Sequence, residues 1–296
     1  MARWSLIDTT GAQLYLEAPY RLREVQAIGM APVQTLAQRS AYRDGERHER
    51  SLYGPYRVLM FNVDIVGAQA ALPGLRDALY VALAGLQDGS RVRVERDDGS
   101  VREIVARIDG EMRVPSRPGV DGPQLSRLQW AMRASQPHWY NPAGAVWTFA
   151  VSAGLGSWGF DLGYPEGFGA STIDTTETKD YPGQVDAYPI IRVRGPVKKL
   201  VMENLSLGTE LDFSARDIAP GETVTFDLRE DYRTITSDTV PGSLLPYLAE
   251  DSHLSTWRIG AHPKPPGGRN SIRIYLEEAT SNTQVSILWH ARYLGV

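Results

Sequence analysis

The chain has 296 residues, 42% of them hydrophobic, with no cysteine and a formal net charge of −4. That length suits two domains with ordinary cores. The lack of cysteine excludes a disulfide framework and any thiolate metal centre, and no apolar run reaches membrane-spanning length. Residues 1–145 hold 18 arginines against 16 acids, and residues 146–296 hold 13 basic residues against 19 acids. Neither half carries the basic stripe of a nucleic-acid binder, so no nucleic-acid contact and no membrane insertion are expected. No secretory leader is read at the N-terminus, where Asp8 follows the short apolar cluster Trp4–Leu6.

In chain order, Trp4–Ile7 and Gln13–Leu16 read as strands joined by a turn at Thr9-Thr10-Gly11. The polar stretch at about 36–54, with Arg39, Arg43, Arg47 and Arg50, reads as an exposed loop or arm. Arg57–Val66 alternates as a strand buried on at least one face. Leu72, Leu75, Leu79, Leu83 and Leu86 then form one helical stripe, with Pro73 near its start and Gly89 past its end. Arg91–Arg96 and Val101–Ile108 make a hairpin about Asp97-Asp98-Gly99-Ser100. Leu128, Trp130, Met132 and Ala134 alternate as a further strand, and Pro137 and Pro142 end the block.

From Val146 onward helical periodicity disappears. Alternating pairs recur at Leu205/Leu207, Leu211/Phe213, Val224/Phe226/Leu228, Ile272/Ile274/Leu276 and Val285/Ile287/Trp289. Turns such as Pro220-Gly221, Pro241-Gly242 and Pro266-Gly267-Gly268 separate them, which predicts a β-sandwich. The whole is therefore mainly β: an α+β block with one packed helix over residues 1–145, then a sandwich over 146–296. The last strand, 285–294, closes the sandwich or returns to the first block.

Chemistry-bearing patterns are sparse. Gly154-x-Gly156-x-x-Gly159 matches a dinucleotide fingerprint in spacing, but Phe160–Pro165 cannot supply the helix that such a site needs. None of the five histidines forms a zincin-type pair, and the carboxylates are scattered. We therefore expect no enzyme, and no catalytic, cofactor or metal residue. Trp158 and Trp257, set beside glycine or in loop-like sequence, are the candidates for stacking on a glycan.

The order of these features resembles the distal tail proteins of long-tailed bacteriophages, the siphophage tail-component family. In the first block the resemblance rests on Phe61-Asn62-Val63, Leu75-Arg76-Asp77, Gly89–Val94, Gly99–Arg102 and the closing Ala134-Ser135-Gln136-Pro137-His138-Trp139-Tyr140. Gln136 stands where that family usually has an aspartate. In the second block it rests on Tyr188–Gly195, Asn204, Leu207-Gly208-Thr209, Gly221–Asp227 and Pro266–Ile272. The resemblance implies a homo-hexameric ring at the distal end of the tail, assembled in the host cytoplasm and carried in the virion. The first block would be the ring-forming β-sandwich domain, and the second a galectin-like β-sandwich. It implies a tail tube protein on one side and a tail-tip, tail-associated or fibre protein on the other. In such a ring the arginines at 39, 43, 47 and 50 would face a neighbour's Asp97 and Asp98. The alternative is a carbohydrate-binding module for host-surface attachment.

Overall fold

The computed structural model describes residues 2–30, 33–39, 46–53, 55–113, 125–149, 171–230, 232–264 and 266–296. The fold is mainly β, with one α-helix among the described residues. The chain divides into two units, Met1–Pro142 with Tyr293–Val296, and Ala143–Arg292. No described helix is long and apolar enough to cross a membrane.

The first unit opens with β1 (Arg3–Ile7) and β2 (Gln13–Tyr15). Asp8 shapes the turn between them: its carboxylate accepts from the Thr10 hydroxyl at 2.7 Å and from the Thr10 and Ala12 amides at 2.9 and 2.8 Å. β3 (Tyr20–Gln26), β4 (Val33–Arg39), β5 (Glu46–Tyr53) and β6 (Arg57–Val66) follow. Next come helix α1 (Leu72–Ala84), β7 (Arg91–Glu95), β8 (Val101–Val105), β9 (Arg107–Arg113), β10 (Leu125–Ala134) and β11 (Trp139–Tyr140). One sheet runs β2-β1-β7-β8-β11 and takes the last strand, Arg292–Tyr293, at its far edge. The other runs β3-β6-β10-β9, antiparallel throughout.

Strand alternation sorts the residues between core and surface. Leu59, Phe61, Val63 and Ile65 of β6 are fully buried, whereas Met60 between them is half exposed. The two sheets share one core, where Trp4 meets Phe61 and Trp139 edge-on at 6.4 and 6.2 Å and Phe61 stacks on Trp130 at 5.3 Å. Each such aromatic pair adds about 0.5–1.5 kcal/mol beyond simple burial. The leucine stripe of α1 reaches the same core through Leu72, Leu79 and Leu83, and the helix ends at Gly85.

Two expectations change here. The stretch at about 36–54, expected as an exposed loop or arm, contains strand: 33–39 and 46–53 pair as the antiparallel strands β4 and β5. In a two-stranded ribbon the backbone groups that face the partner strand pair across it and the outward ones can be left to water, so polar composition does not preclude it. The strand expected over 101–108 stops at Val105, and the chain crosses to the other sheet as β9. The Ala106 amide turns to the Ser90 carbonyl at 2.9 Å and the Ile108 amide to the Leu86 carbonyl at 3.3 Å, so both leave the hairpin ladder.

The second unit contains β12 (Ala145–Phe149), β13 (Ser171–Asp180), β14 (Ile190–Arg194), β15 (Lys199–Asn204), β16 (Thr209–Asp212), β17 (Thr223–Asp227), β18 (Thr234–Ser237), β19 (Arg269–Ala279) and β20 (Gln284–Trp289); β21 is Arg292–Tyr293. Its sheets are β12-β20-β14-β17-β18 and β13-β19-β15-β16. Ile191, Val224 and Ile287 on one and Leu200, Ile274 and Leu276 on the other are fully buried, as facing layers of a sandwich require. Phe213, just past β16, meets Phe226 of β17 edge-on at 5.3 Å. Leu205 and Leu207, which alternate like a strand, lie instead in the turn between β15 and β16. The stretch 285–294 is divided: β20 pairs with β12 and β14, while Tyr293–Val296 belong to the first unit.

Candidate interaction surfaces

The described residues among the predicted interface positions fall on β4, β5 and the β7–β8 turn of the first unit. Arg39 lies in β4 opposite Glu46, Arg47 and Arg50 lie in β5 opposite Gln38 and Leu36, and Arg43 is outside the described residues. Asp97 and Asp98 sit exposed in the β7–β8 turn. Asp98 already serves its own turn, accepting from the Ser100 amide and hydroxyl at 2.9 and 2.6 Å and pairing with Arg96 at 3.2 Å. These bonds, the Ser100 hydroxyl first, hold its carboxyl below the usual carboxylate range.

The sheet β3-β6-β10-β9 has two open edges among the described residues, since β3 pairs only with β6 and β9 only with β10. Its polar face carries Asp64 between Arg127 at 2.8 Å and Arg23 at 3.9 Å. On the companion sheet a cross-strand row runs Ser5, Arg93, Glu103, Tyr140. Glu103 is fully buried and accepts from Arg93 at 2.7 Å and the Tyr140 hydroxyl at 3.1 Å. Burial, then the adjacent Glu103 charge, push the Tyr140 phenol above its ordinary value.

Arg57, the first residue of β6, was read only as a strand start, yet it is fully buried. One nitrogen donates to the carbonyls of Ala27 and Gly29 at 3.2 and 3.0 Å, and the other to that of Leu294 at 2.7 Å. No carboxylate among the described residues pairs with it, and burial lowers its pKa to about 10. Leu294 is 237 residues from Arg57, so no local pattern announces the contact.

In the second unit, the motif residues prove to be loop locks. Asn270 accepts from the Gly260 amide at 2.7 Å and donates to the Gly260 and Gly268 carbonyls at 3.0 and 3.2 Å. Asn204 donates to Asn270 at 3.1 Å and to the Arg258 carbonyl at 2.9 Å. Glu222, 2% exposed, accepts from Ser237 and Arg216 at 2.6 Å each and from the Ala219 amide at 2.9 Å. Burial alone would push its carboxyl up; the three donors, Ser237 first, outweigh that and hold it below the ordinary value. Gly195 leaves no room for a side chain, because a Cβ there would lie 2.4 Å from the Ala219 carbonyl oxygen.

Trp257 is corrected as a glycan platform: it is fully buried, with no ring face open to a sugar. Its sequence neighbourhood shows no alternation from which to read that burial, because it lies in an irregular stretch between β18 and β19. Trp158 and the Gly154–Gly159 fingerprint lie outside the described residues. No group of three or more His, Asp or Glu among the described residues could hold a metal ion.

These two β-rich units in one chain define a fold with a known counterpart. The structure is similar over 98% of its length to the crystal structure of the SPP1 Dit (gp 19.1) protein, with a TM-score of 0.65 and 12% identity, covering 99% of that chain. That protein is described as a paradigm of the hub adsorption apparatus in phages infecting Gram-positive hosts. No protein-family model matches the chain, and no curated protein does.

Proposed function

We propose that the chain is a structural component of a phage tail tip: a distal tail protein that forms a ring between the tail tube and the tail-tip or fibre proteins. The observation that carries this reading is the shared fold with SPP1 Dit across both units, at nearly full coverage of each chain. The role is assembly rather than catalysis. The second unit is the outward, galectin-like sandwich, the ring is a homo-hexamer built in the host cytoplasm, and the virion carries it at the distal end of the tail.

A closed ring needs two different patches on each subunit. The open edges of β3 and β9 supply such a pair. Four antiparallel strands leave β3 and β9 running in opposite directions, so β9 of one copy beside β3 of the next continues the antiparallel alternation. Ring closure removes both edges, which would otherwise invite uncontrolled pairing. The arginines at 39, 43, 47 and 50 meet the neighbour's Asp97-Asp98 turn. Native mass spectrometry of the purified protein tests the reading. A hexamer is expected, weakened by joint Arg43→Glu and Arg47→Glu substitution. A monomer at all concentrations would overturn the ring, and an unchanged hexamer in the double variant would overturn the arginine contact.

A further inference from the structure

The root of the β4–β5 hairpin is built from two stretches, residues 27–30 before β4 and the start of β6 after β5. Three features converge there. Ala27 has φ of 63°, a left-handed conformation that non-glycine residues rarely adopt. Such a residue persists only where its surroundings hold it, and the Ala27 carbonyl is held by buried Arg57. The same guanidinium holds Gly29 on one side and Leu294 on the other. Residues 293–296 add their own contacts to this root. The Val296 amide donates to the Ile28 carbonyl at 3.1 Å, and Gly295 lies so close to Gly29 that a Cβ would sit 2.9 Å from its oxygen. Arg102 fixes the segment from β8, donating to the Gly295 carbonyl and stacking on the Tyr293 ring at 4.0 Å.

We propose that residues 293–296 are a latch that sets the order of the β4–β5 hairpin. With the segment seated, Arg57 has carbonyls on both sides and both root stretches are fixed. With it withdrawn, Arg57 loses the Leu294 acceptor and Ile28 loses the Val296 amide, so the strained root is free to relax. Tyr293 follows directly on Arg292, whose amide donates to the Tyr181 hydroxyl of the second unit at 2.9 Å. The latch is thus the covalent continuation of that unit. Its bearing on assembly rests on the ring reading above; the latch itself does not.

Hydrogen exchange read by mass spectrometry on the full chain tests it. Gly295→Val should unseat the segment, and amides of 33–39 and 46–53 should then exchange about tenfold faster while β10 and β19 stay protected. Unchanged exchange in the hairpin overturns the latch. If β10 and β19 also lose protection, the variant has unfolded and Arg102→Gln decides instead. That change removes the Gly295 bond and the Tyr293 stack without touching the hairpin root. It should give the same localised rise, and an unchanged hairpin there overturns the proposal. Native mass spectrometry in parallel separates the two readings. Faster hairpin exchange in a protein that never forms a ring supports the latch and sinks the ring; a hexamer with unchanged exchange does the reverse.

Discussion

Arg57 in the first unit and Asn270 in the second are both fully buried polar side chains that organise irregular backbone, yet they do so over very different sequence distances. A guanidinium only donates, so it must gather carbonyls. Arg57 finds them 28 to 30 residues before it and 237 residues after it. A carboxamide both donates and accepts, so it can close on a single peptide group. Asn270 binds both the amide and the carbonyl of Gly260, ten residues away. Asn270 therefore clamps a loop ten residues away in its own unit, whereas Arg57 depends on a segment that follows the whole second unit.

Substitutions can break this contrast. The largest effect is expected from Asn270→Ala, which leaves a buried amide, two carbonyls and the Asn204 carboxamide without their partner. Loss of about 3 kcal/mol is expected, read in denaturant unfolding as a shifted transition of the second unit alone. Arg57→Met keeps volume but orphans three carbonyls, for about 2 kcal/mol in the first unit. If both variants shift one common transition equally, the units do not unfold separately and the contrast fails. Gly195→Ala should cost about 1–3 kcal/mol by overpacking against the Ala219 carbonyl, again in the second unit; a neutral result would show that the 218–219 loop yields.

The smallest effect is the dependence on pH. The Glu222 carboxyl is depressed in the folded state, so its stabilisation is present above the unfolded value, about 4.3. It is lost as pH falls through the lower folded value. Glu210 has the opposite sign, since burial and then Glu203 raise it and its ionisation opposes folding. Acid titration of Glu222→Gln should therefore show a shallower loss of stability below about pH 4 than the parent. Parallel curves would remove Glu222 from the acid transition.

Legibility in the sequence follows the same division between local and distant contacts. Local periodicity exposed the Leu72–Leu83 stripe and the β7–β8 turn, and the alternation Ile272, Ile274, Leu276 gave β19. The landmarks Gly195, Asn204, Glu222 and Asn270 came from the family resemblance and not from local periodicity, since Asn204 finds its partners 54 and 66 residues away. Where the backbone's partners lay elsewhere, reading failed. The polar 36–54 stretch hid a ribbon, Ala106 hid a change of sheet, and Trp257 had no regular strand to reveal which way it faced. Arg57 looked like any strand-opening arginine because its acceptors are set by topology, not spacing.

The return of Tyr293–Val296 to the first unit also orders events in time. Residues 143–292 intervene between the two parts of that unit, and at ordinary synthesis rates they take roughly 8–30 seconds to make. We predict that throughout this interval a nascent chain carries its β4–β5 hairpin unlatched, with the β3 and β9 edges beside a half-finished root. A ribosome-bound chain arrested before residue 293 should be cut by protease in the hairpin faster than the released protein; equal cutting would count against this. Residues 293–296 would then act as a signal that the second unit has been made, withholding a firm arm for neighbours until that point.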